Sequence, residues 1–423
     1  MQSPSAPGSA LDSAIAQVSK KDDVYYYSSD STSVQEIPCT MKTNFIQNLA
    51  SLSGGSSVIS IPPSSGVQEI VLGLSLKAIG SETGLTYAGL ALPRAFLYEF
   101  IDNVSFRYGA SDLYFKSGLQ LLLEAQATAA SLVDGDALIE LAGNALSTPS
   151  DFVGAKLDAV GIICLPHANS ASGTEKANPF PSELVNAPIT ITIQLKSQAE
   201  VFKIASGFVG TPVIPSGFND AYLQVRQCEV MDRGMLMSQS QKYLFPTKFW
   251  AQANSVSLAN TATEQEIVLT GFRAASCTDI YMALVDTADT ANPFNFILPS
   301  SLVLSYAGNI IHRARSGAML QLMDTLYTDV PAYFNNVLLS DAADDGTWAV
   351  SDATLSNFIH LPLAQKYEQL SAEVVQMKGL YIANGVMNLQ LKTPSAKSTW
   401  KLIYIPVYNT GLSFQSGVMQ YLF

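Results

Sequence analysis

The chain has little charge for its length. Only 14% of its 423 residues are Asp, Glu, Lys or Arg, against roughly 25% in typical soluble proteins. Acidic residues outnumber basic ones by 35 to 23, giving a formal net charge of −12, and no basic run is longer than Lys20-Lys21. Direct binding of nucleic acid needs clustered Lys and Arg, so the sequence predicts no direct contact with nucleic acid. Sparse charge also indicates that other subunits cover much of the surface, because interface cores are depleted in charge. An uncharged surface rich in Ser, Thr and Asn is the alternative.

Membrane and disulfide signals are missing too. No apolar run reaches 18 residues, so no membrane-spanning helix is predicted. The beginning of the sequence has no apolar core of a secretory signal. The four cysteines, at positions 39, 164, 228 and 277, form no CxxC pair. We therefore expect buried free thiols in a reducing cytoplasm rather than disulfides or a zinc site.

Motifs of catalysis and cofactor binding are also absent. His167, His312 and His360 are the only histidines, and they form no HxH or HExxH pair. GxSxG, the phosphate-binding GxxxxGK[ST] and a GxGxxG after a strand do not occur. The sequence therefore predicts a protein that is not an enzyme and carries no cofactor.

Calcium is the one metal with candidate ligands. Two loop segments cluster the carboxylate oxygens that Ca²⁺ prefers. Their residues are Asp134, Asp136 and Glu140 in one segment, and Asp341, Asp344 and Asp345 in the other. Neither segment has the spacing of an EF-hand, so solvated acidic loops are the favoured interpretation.

The chain repeats itself once. Four matches occur in the same order, with offsets between 196 and 199 residues: Gln68–Leu72 with Gln265–Leu269, Gly109 and Ser117-Gly118 with Gly308 and Ser316-Gly317, Leu165-Pro166 with Leu361-Pro362, and Gln194–Lys196 with Gln390–Lys392. The agreement predicts two copies of a unit of roughly 190–200 residues. Such a unit is too long for a solenoid repeat and fits a duplicated domain.

Within each copy the pattern is mostly that of β-strands. Apolar residues alternate over 70–76, 189–195, 387–391 and 403–407, which places them on one face of a sheet. Turn-rich segments separate these runs, and helix candidates are few: Leu119–Ala130, Gly135–Leu146 and Ala318–Leu326. Many short strands with Gly/Pro/Ser loops favour a β-sandwich, and a jelly roll is the common way to build one of this size.

One element stands out in both copies. Residues 100–123 combine a strand, a turn at Gly109, a returning strand, a break at Ser117-Gly118 and a helix. Residues 301–323 repeat this arrangement, with Gly308 at the turn and Ser316-Gly317 at the break. Glycine suits the turn because it adopts a positive φ without strain.

This element, present twice in one chain, resembles the double jelly-roll major capsid proteins of tail-less icosahedral viruses. The large viruses of this family usually have Gly-Gly at the turn, whereas this chain has Gly109-Ala110 and Gly308-Asn309. The low charge and modest length most resemble a bacteriophage member of the family, and a membrane-containing bacteriophage is the expectation.

The resemblance implies an all-β fold of two tandem antiparallel jelly-roll β-barrels, with a few short helices and an N-terminal arm. We expect the arm over residues 1–34, jelly roll 1 over 35–235 and jelly roll 2 over 236–423. The implied function is a major capsid protein that forms trimeric, pseudo-hexameric capsomers and an icosahedral shell assembled in the host cytoplasm. The implied partners are neighbouring capsomers, minor capsid and vertex proteins, and an internal lipid membrane.

The arm has its own sequence signal. Leu11, Ile15 and Val18 form one stripe of a short helix that Lys20 and Lys21 close. The stripe either docks on its own domain or reaches a neighbouring subunit or the membrane, as the arms of the family do.

Two rival functions belong to other classes. One is a two-domain carbohydrate-binding or receptor-binding spike protein, which requires exposed aromatic platforms. The other is an enzyme on two jelly rolls, resembling amidases that cleave glycans from protein, which requires an acidic cleft between the domains. The lack of a secretion signal and of convergent ligand residues disfavours both.

Overall fold

A computed structural model of the chain describes residues 24–26, 40–45, 56–63, 66–76, 90–109, 113–127, 138–143, 158–163, 182–185, 188–204, 218–228, 242–259, 263–289, 294, 296–315, 339–341, 348–350, 359–363, 379–383 and 386–422. Strands dominate these segments, as the alternating apolar pattern predicts.

The first unit, roll 1, contains two four-stranded antiparallel sheets. It follows a short first strand, β1 (Val24–Tyr26). The strands of roll 1 are β2 (Thr40–Phe45), β3 (Ser56–Ile61), β4 (Gly66–Leu76), β5 (Leu90–Ala91), β6 (Ile101–Tyr108), β7 (Leu113–Lys116), β8 (Asp158–Ile162), β9 (Ile189–Leu195), β10 (Lys203–Ile204) and β11 (Phe218–Cys228). Sheet A1 has the order β2-β11-β4-β8 and sheet B1 the order β3-β9-β6-β7, while β5 and β10 form a separate ladder.

The second unit, roll 2, repeats this plan. Its strands are β12 (Lys242–Trp250), β13 (Asn254–Ser257), β14 (Glu264–Leu269), β15 (Ala275–Asp286), β16 (Ser301–Tyr306), β17 (Asn309–Ala314), β18 (Leu339–Asp341), β19 (Trp348–Val350), β20 (Ile359–Pro362), β21 (Leu380–Ile382), β22 (Met387–Lys392), β23 (Trp400–Gln415) and β24 (Val418–Leu422). Sheet A2 has the central order β12-β23-β15-β20, and sheet B2 has the order β14-β22-β16-β17. Strand β1 adds to sheet A2 by pairing in parallel with β12, so part of the predicted arm joins roll 2.

The two units share one topology. When the eight sandwich strands of each are numbered along the chain, both have the sheet orders 1-8-3-6 and 2-7-4-5. This order is that of a jelly roll, in which two Greek keys build a double sheet. The predicted fold class, two tandem antiparallel jelly rolls with few helices, is confirmed.

One of the four repeat matches joins strands that are not equivalent in the two rolls. Gln68–Leu72 lies in β4, the third sandwich strand of roll 1, whereas Gln265–Leu269 lies in β14, the second sandwich strand of roll 2. Two other matches do fall at equivalent places. Gln194–Lys196 and Gln390–Lys392 lie at the ends of β9 and β22, and Gly109 and Gly308 lie in the turns that follow β6 and β16. Five identical residues in non-equivalent strands show that so short a match does not specify which strand of a sandwich a segment forms.

The core of each roll follows from the alternation of apolar and polar residues along its central strands. The alternating residues of β9, from Ile189 to Leu195, are buried, as are Met387, Leu389 and Leu391 of β22. Both strands lie in the middle of their sheets and pack against the facing sheet, which fixes the register.

In the described part of the chain, short helices interrupt the strands. They include α1 (Phe96–Phe100), α2 (Gly118–Ala127) and α3 (Gln198–Val201), with a 3₁₀ turn over Ser182–Leu184. Helix α2 matches the prediction for Leu119–Ala130. Within the predicted helix Gly135–Leu146, residues 138–141 are helical in the described part of the chain, and Ala318–Leu326 lies outside the described residues. Among the described residues, no helix is both long and apolar enough to span a bilayer.

Candidate functional site: the contact between the two rolls

Sheet A2 is buried on both faces. Ile280, Met282 and Leu284 of β15 belong to the core of roll 2. The intervening residues Tyr281, Ala283 and Val285 belong to a second cluster that also contains the core of roll 1. Because alternate residues of a strand point to opposite sides, the outer face of sheet A2 packs on roll 1. The two rolls are therefore joined by a shared apolar core.

Gln120 of helix α2 crosses this contact. Its Nε2 donates to the backbone oxygen of Ala251, 3.0 Å away, and to Glu124 Oε1, also 3.0 Å away. The backbone N–H of Ala253 donates to Gln120 Oε1 over 3.3 Å. Gln120 is 1% exposed, so these bonds satisfy backbone groups of roll 2 that packing on roll 1 removes from water. Helix α2 of roll 1 is thus fixed to the segment that follows β12 in roll 2.

A buried ion pair supports Gln120. Lys116 Nζ contacts Glu124 Oε2, and both side chains are almost fully buried. Burial raises the pKa of the Glu124 carboxyl, while the charge of Lys116 and the bond from Gln120 act in the opposite direction. Buried charges persist only when they are paired and hydrogen-bonded. The Lys116–Glu124–Gln120 cluster therefore makes the contact between the rolls specific as well as apolar.

Three rings are stacked on the outer side of sheet A2. The ring centroids of Trp250 and Tyr281 lie 4.7 Å apart with planes 15° apart, and those of Tyr281 and His360 lie 4.5 Å apart with planes 8° apart. His360 Nε2 lies 2.9 Å from Asp279 Oδ1. These side chains are buried, so the stack is part of the contact and not a surface platform.

His312 holds a neighbouring edge of roll 2. Its Nε2 lies 2.6 Å from the backbone oxygen of Pro362, so the Nε2–H donates to that carbonyl group. Burial lowers the pKa of His312. The bond ties β17 in sheet B2 to the end of β20 in sheet A2, and it closes one side of the roll 2 sandwich.

Among the described residues, the equivalent outer face of sheet A1 is only half-buried. On β4 and β8, Val71 pairs with Ile162 and Gly73 pairs with Val160. Val71, Val160, Ile162 and Tyr222 are half-buried, and the Tyr222 ring occupies the space that a side chain at Gly73 would need. Roll 1 thus exposes an apolar surface where roll 2 is covered by roll 1.

The signature glycines have different local roles. Gly109 and Gly308 have φ of 59° and 81°, within the left-handed region that favours glycine. A Cβ atom at Gly118 would lie 1.9 Å from the backbone oxygen of Tyr98, whereas nothing lies within 4 Å at Gly308. Gly118 therefore permits the close contact between α1 and the start of α2. Gly317 lies outside the described residues.

Of the calcium candidates, two lie among the described residues. Glu140 is exposed at a short helical turn and Asp341 lies in β18. The other calcium candidates (Asp134, Asp136, Asp344 and Asp345) and the arm residues (Leu11, Ile15 and Val18) lie outside the described part of the chain. Among the residues that are described, no group of three or more His, Cys, Asp or Glu side chains could hold a metal ion.

The buried cluster at Lys116, Gln120 and Glu124 was not among the predicted sites. The spacing of four residues places Gln120 and Glu124 on one face of helix α2, whereas Lys116 is the last residue of β7 and had no comparable signal. The double burial of β15 had a clearer signal. The nearly continuous apolar run over 280–285 is typical of a strand covered on both faces.

No protein-family profile and no curated relative matches the sequence, but solved structures do match it. PBCV-1 VP54, fitted into a reconstruction of the virophage Sputnik, superimposes with a TM-score of 0.58 at 10% identity, covering 93% of this chain and 99% of that one. The structure of the Sputnik virophage itself gives a TM-score of 0.54 at 10% identity, covering 93% and 90%. The mavirus major capsid protein gives 0.52 at 11% identity, covering 93% of each chain. The chain has the double jelly-roll fold of viral capsid proteins. Both rolls take part in the double jelly-roll match, since it covers nine tenths of the chain.

Proposed function

We propose that this chain is a major capsid protein that assembles into capsomers and an icosahedral shell. The observation that carries the proposal is the pair of rolls with one topology, fused through a shared core. The double jelly-roll fold supports the capsid function over the spike alternative. The burial of Trp250 and Trp400, 5% and 3% exposed, also removes two of the three tryptophans that a glycan-binding surface would use.

The capsomer we propose is a trimer. In one chain, roll 1 covers the outer face of sheet A2, and the equivalent face of sheet A1 is half-exposed and apolar. Three chains arranged head to tail would let roll 2 of each neighbour cover that face of roll 1. Six similar rolls then form a closed ring with threefold symmetry, because a heterologous contact that closes makes a ring. Residues 35–235 and 236–423 are the two walls that each chain contributes.

Light scattering on the purified protein tests the trimer. A mass of about 136 kDa, three times the 45.3 kDa of the chain, or larger shells are expected from an obligate interface. The variant Ile162→Lys places a charge on the outer face of sheet A1 and should shift the mass toward that of the monomer. Leu141→Lys is the matched control, because Leu141 is an exposed apolar residue of roll 1 on a different element. A wild-type monomer at micromolar concentration would refute the capsomer.

The arm supports a more specific part of the proposal. Its apolar stripe (Leu11, Ile15 and Val18) suits a contact with a neighbouring capsomer or with an internal membrane of a bacteriophage. Deletion of residues 1–22 leaves β1 in the chain, so trimers should persist while the yield of shells or the membrane content of particles falls. Unchanged particles would refute this function of the arm. Minor capsid and vertex proteins, and assembly in the host cytoplasm, complete the proposed setting.

A further inference from the structure

Exposed apolar side chains concentrate on the outer faces of sheets B1 and B2. Of the eight large hydrophobic residues that are exposed in the described part of the chain, four lie on strands of these two sheets: Val58, Phe115, Val268 and Ile310. A fifth, Val386, directly precedes β22. Single exposed apolar residues need no explanation, whereas several on one sheet face mark a site of interaction.

The two faces carry the same pattern in the same register. In sheet B1, a row across the four strands runs from Val58 through Thr192 and Ser105 to Phe115. In sheet B2, the equivalent row runs from Val268 through Asn388 and Ser305 to Ile310. Each row has an apolar residue on both edge strands and small polar residues between them. The agreement indicates that the two faces meet the same kind of environment, although almost all other residues of the two faces differ.

Sheet B2 adds a separation of charge between its edges. The next row runs from Glu266 on β14 through Gln390 and Val303 to Arg313 on β17. Glu264 is exposed beside Glu266, and Arg315 is exposed beside Arg313. Three strand spacings, about 14 Å in total, separate the acidic edge from the basic edge. The Glu and Arg residues of one face are therefore too far apart to pair with each other. Lys392 Nζ lies 4.0 Å from Glu264 Oε1 at the acidic edge.

Such a face is complementary to a copy of itself. A two-fold axis parallel to the strands turns the row around, so that Glu266 of one copy faces Arg313 of the other and Val268 faces Ile310. An isologous contact of this kind satisfies each pair twice. We propose that the outer face of sheet B2 binds the same face of a second copy of this chain, in a neighbouring capsomer. This inference rests on the proposed capsid function.

The location of the contact between the rolls supports this assignment. Within one chain that contact uses the outer face of sheet A2, on the opposite side of the sandwich from sheet B2. A ring that repeats the contact would use the outer face of sheet A1 in the same way. The outer faces of sheets B1 and B2 then take no part in forming the trimer and are available for contacts between trimers.

Charge reversal tests the contact directly. Glu266→Arg and Arg313→Glu each place like charges opposite one another, so each should lower the yield of shells at least tenfold at low salt. The double variant Glu266→Arg/Arg313→Glu is again self-complementary and should restore the yield. Raising the salt concentration to about 0.5 M should reduce the defect of each single variant, because salt screens exposed charges.

Two measurements, the formation of trimers and the yield of shells, separate a failure of this inference from a failure of the proposed function. Light scattering should give trimers for wild type and for all three variants, since sheet B2 lies outside the trimer contact. If trimers form and both single variants assemble like wild type, the sheet B2 contact is refuted while the capsid function stands. A double variant that assembles no better than either single one also refutes it. A wild-type protein that forms neither trimers nor shells would refute the proposed function itself.

Discussion

A side chain at Gly118 would collide with the backbone, because its Cβ atom would lie 1.9 Å from the Tyr98 oxygen and 2.8 Å from the Ile101 oxygen. Backbone atoms cannot move aside as a flexible side chain can. Gly118→Ala should therefore lower the free energy of unfolding by about 3 kcal/mol. Gly308→Ala meets open space but keeps a φ of 81°, and it should cost about 1–2 kcal/mol. Urea unfolding of both variants checks the order, and an equal cost at the two sites would contradict it.

The buried Lys116–Glu124 pair predicts an asymmetry between single and double substitutions. Glu124→Gln removes the carboxylate that contacts the buried Lys116 ammonium group, which should cost about 3–5 kcal/mol. Replacing both residues with apolar ones, as in Lys116→Met/Glu124→Leu, should cost much less because the two opposite charges are removed together. Thermal unfolding measures both variants. A double variant that is less stable than Glu124→Gln would show that the ion pair itself stabilises the fold.

His312 predicts a dependence of stability on pH. Burial lowers the pKa of His312 below its ordinary value of about 6.5 in the folded protein. The unfolded chain therefore binds more protons as the pH falls through 6.5, so acidification destabilises the folded state. The contribution of this residue is complete above pH 6.5 and is lost toward the lower pKa of the folded state. His312→Gln keeps an N–H donor for Pro362 and should flatten the change in melting temperature between pH 7.5 and 5.5. An unchanged slope would assign the pH dependence to other groups.

At the scale of elements, a substitution in the turn between β16 and β17 should stabilise this hairpin. Its two turn residues, Ala307 and Gly308, both have positive φ, 49° and 81°, as a type I′ turn requires. Alanine is strained in that conformation, whereas Asn followed by Gly suits it best. Ala307→Asn should raise the free energy of unfolding by about 1 kcal/mol.

The turn between β23 and β24 supplies a second test, since Ser416 and Gly417 have φ of 54° and 75°. Ser416→Asn should stabilise the protein by a similar amount. Melting temperatures that stay at the wild-type value in both variants would show that the strain is relieved elsewhere.

The elements also show how far sequence reasoning reaches. Alternation correctly predicted strands such as β9 and β22, because their positions in the middle of half-buried sheets impose a period of two. The match of Gln68–Leu72 with Gln265–Leu269 joined non-equivalent strands, since five residues do not specify which strand of a sandwich they form. The cluster around Gln120 could not be predicted, because it depends on how two rolls that are distant along the chain meet.

At the scale of the whole molecule, the shared core makes the two rolls unfold together. Residues of sheet A2 and of roll 1 belong to one buried cluster, so neither roll can lose its structure without exposing part of the other. Calorimetry of the intact chain should show one transition, as expected when two units share a large apolar contact.

A substitution at Gln120 tests whether the joint unfolding of the two rolls depends on hydrogen bonds as well as on apolar packing. Gln120→Leu leaves the Ala251 oxygen and the Ala253 N–H without their partner, at about 1–3 kcal/mol for each buried group, and the single transition should broaden or split in two. Gln265→Leu is the matched control, because Gln265 also bonds a backbone N–H and oxygen, both of Ala259, but within roll 2 and exposed to solvent. That variant should stay within about 0.5 kcal/mol of wild type with one transition. If both variants keep one sharp transition at similar temperatures, apolar packing alone couples the rolls.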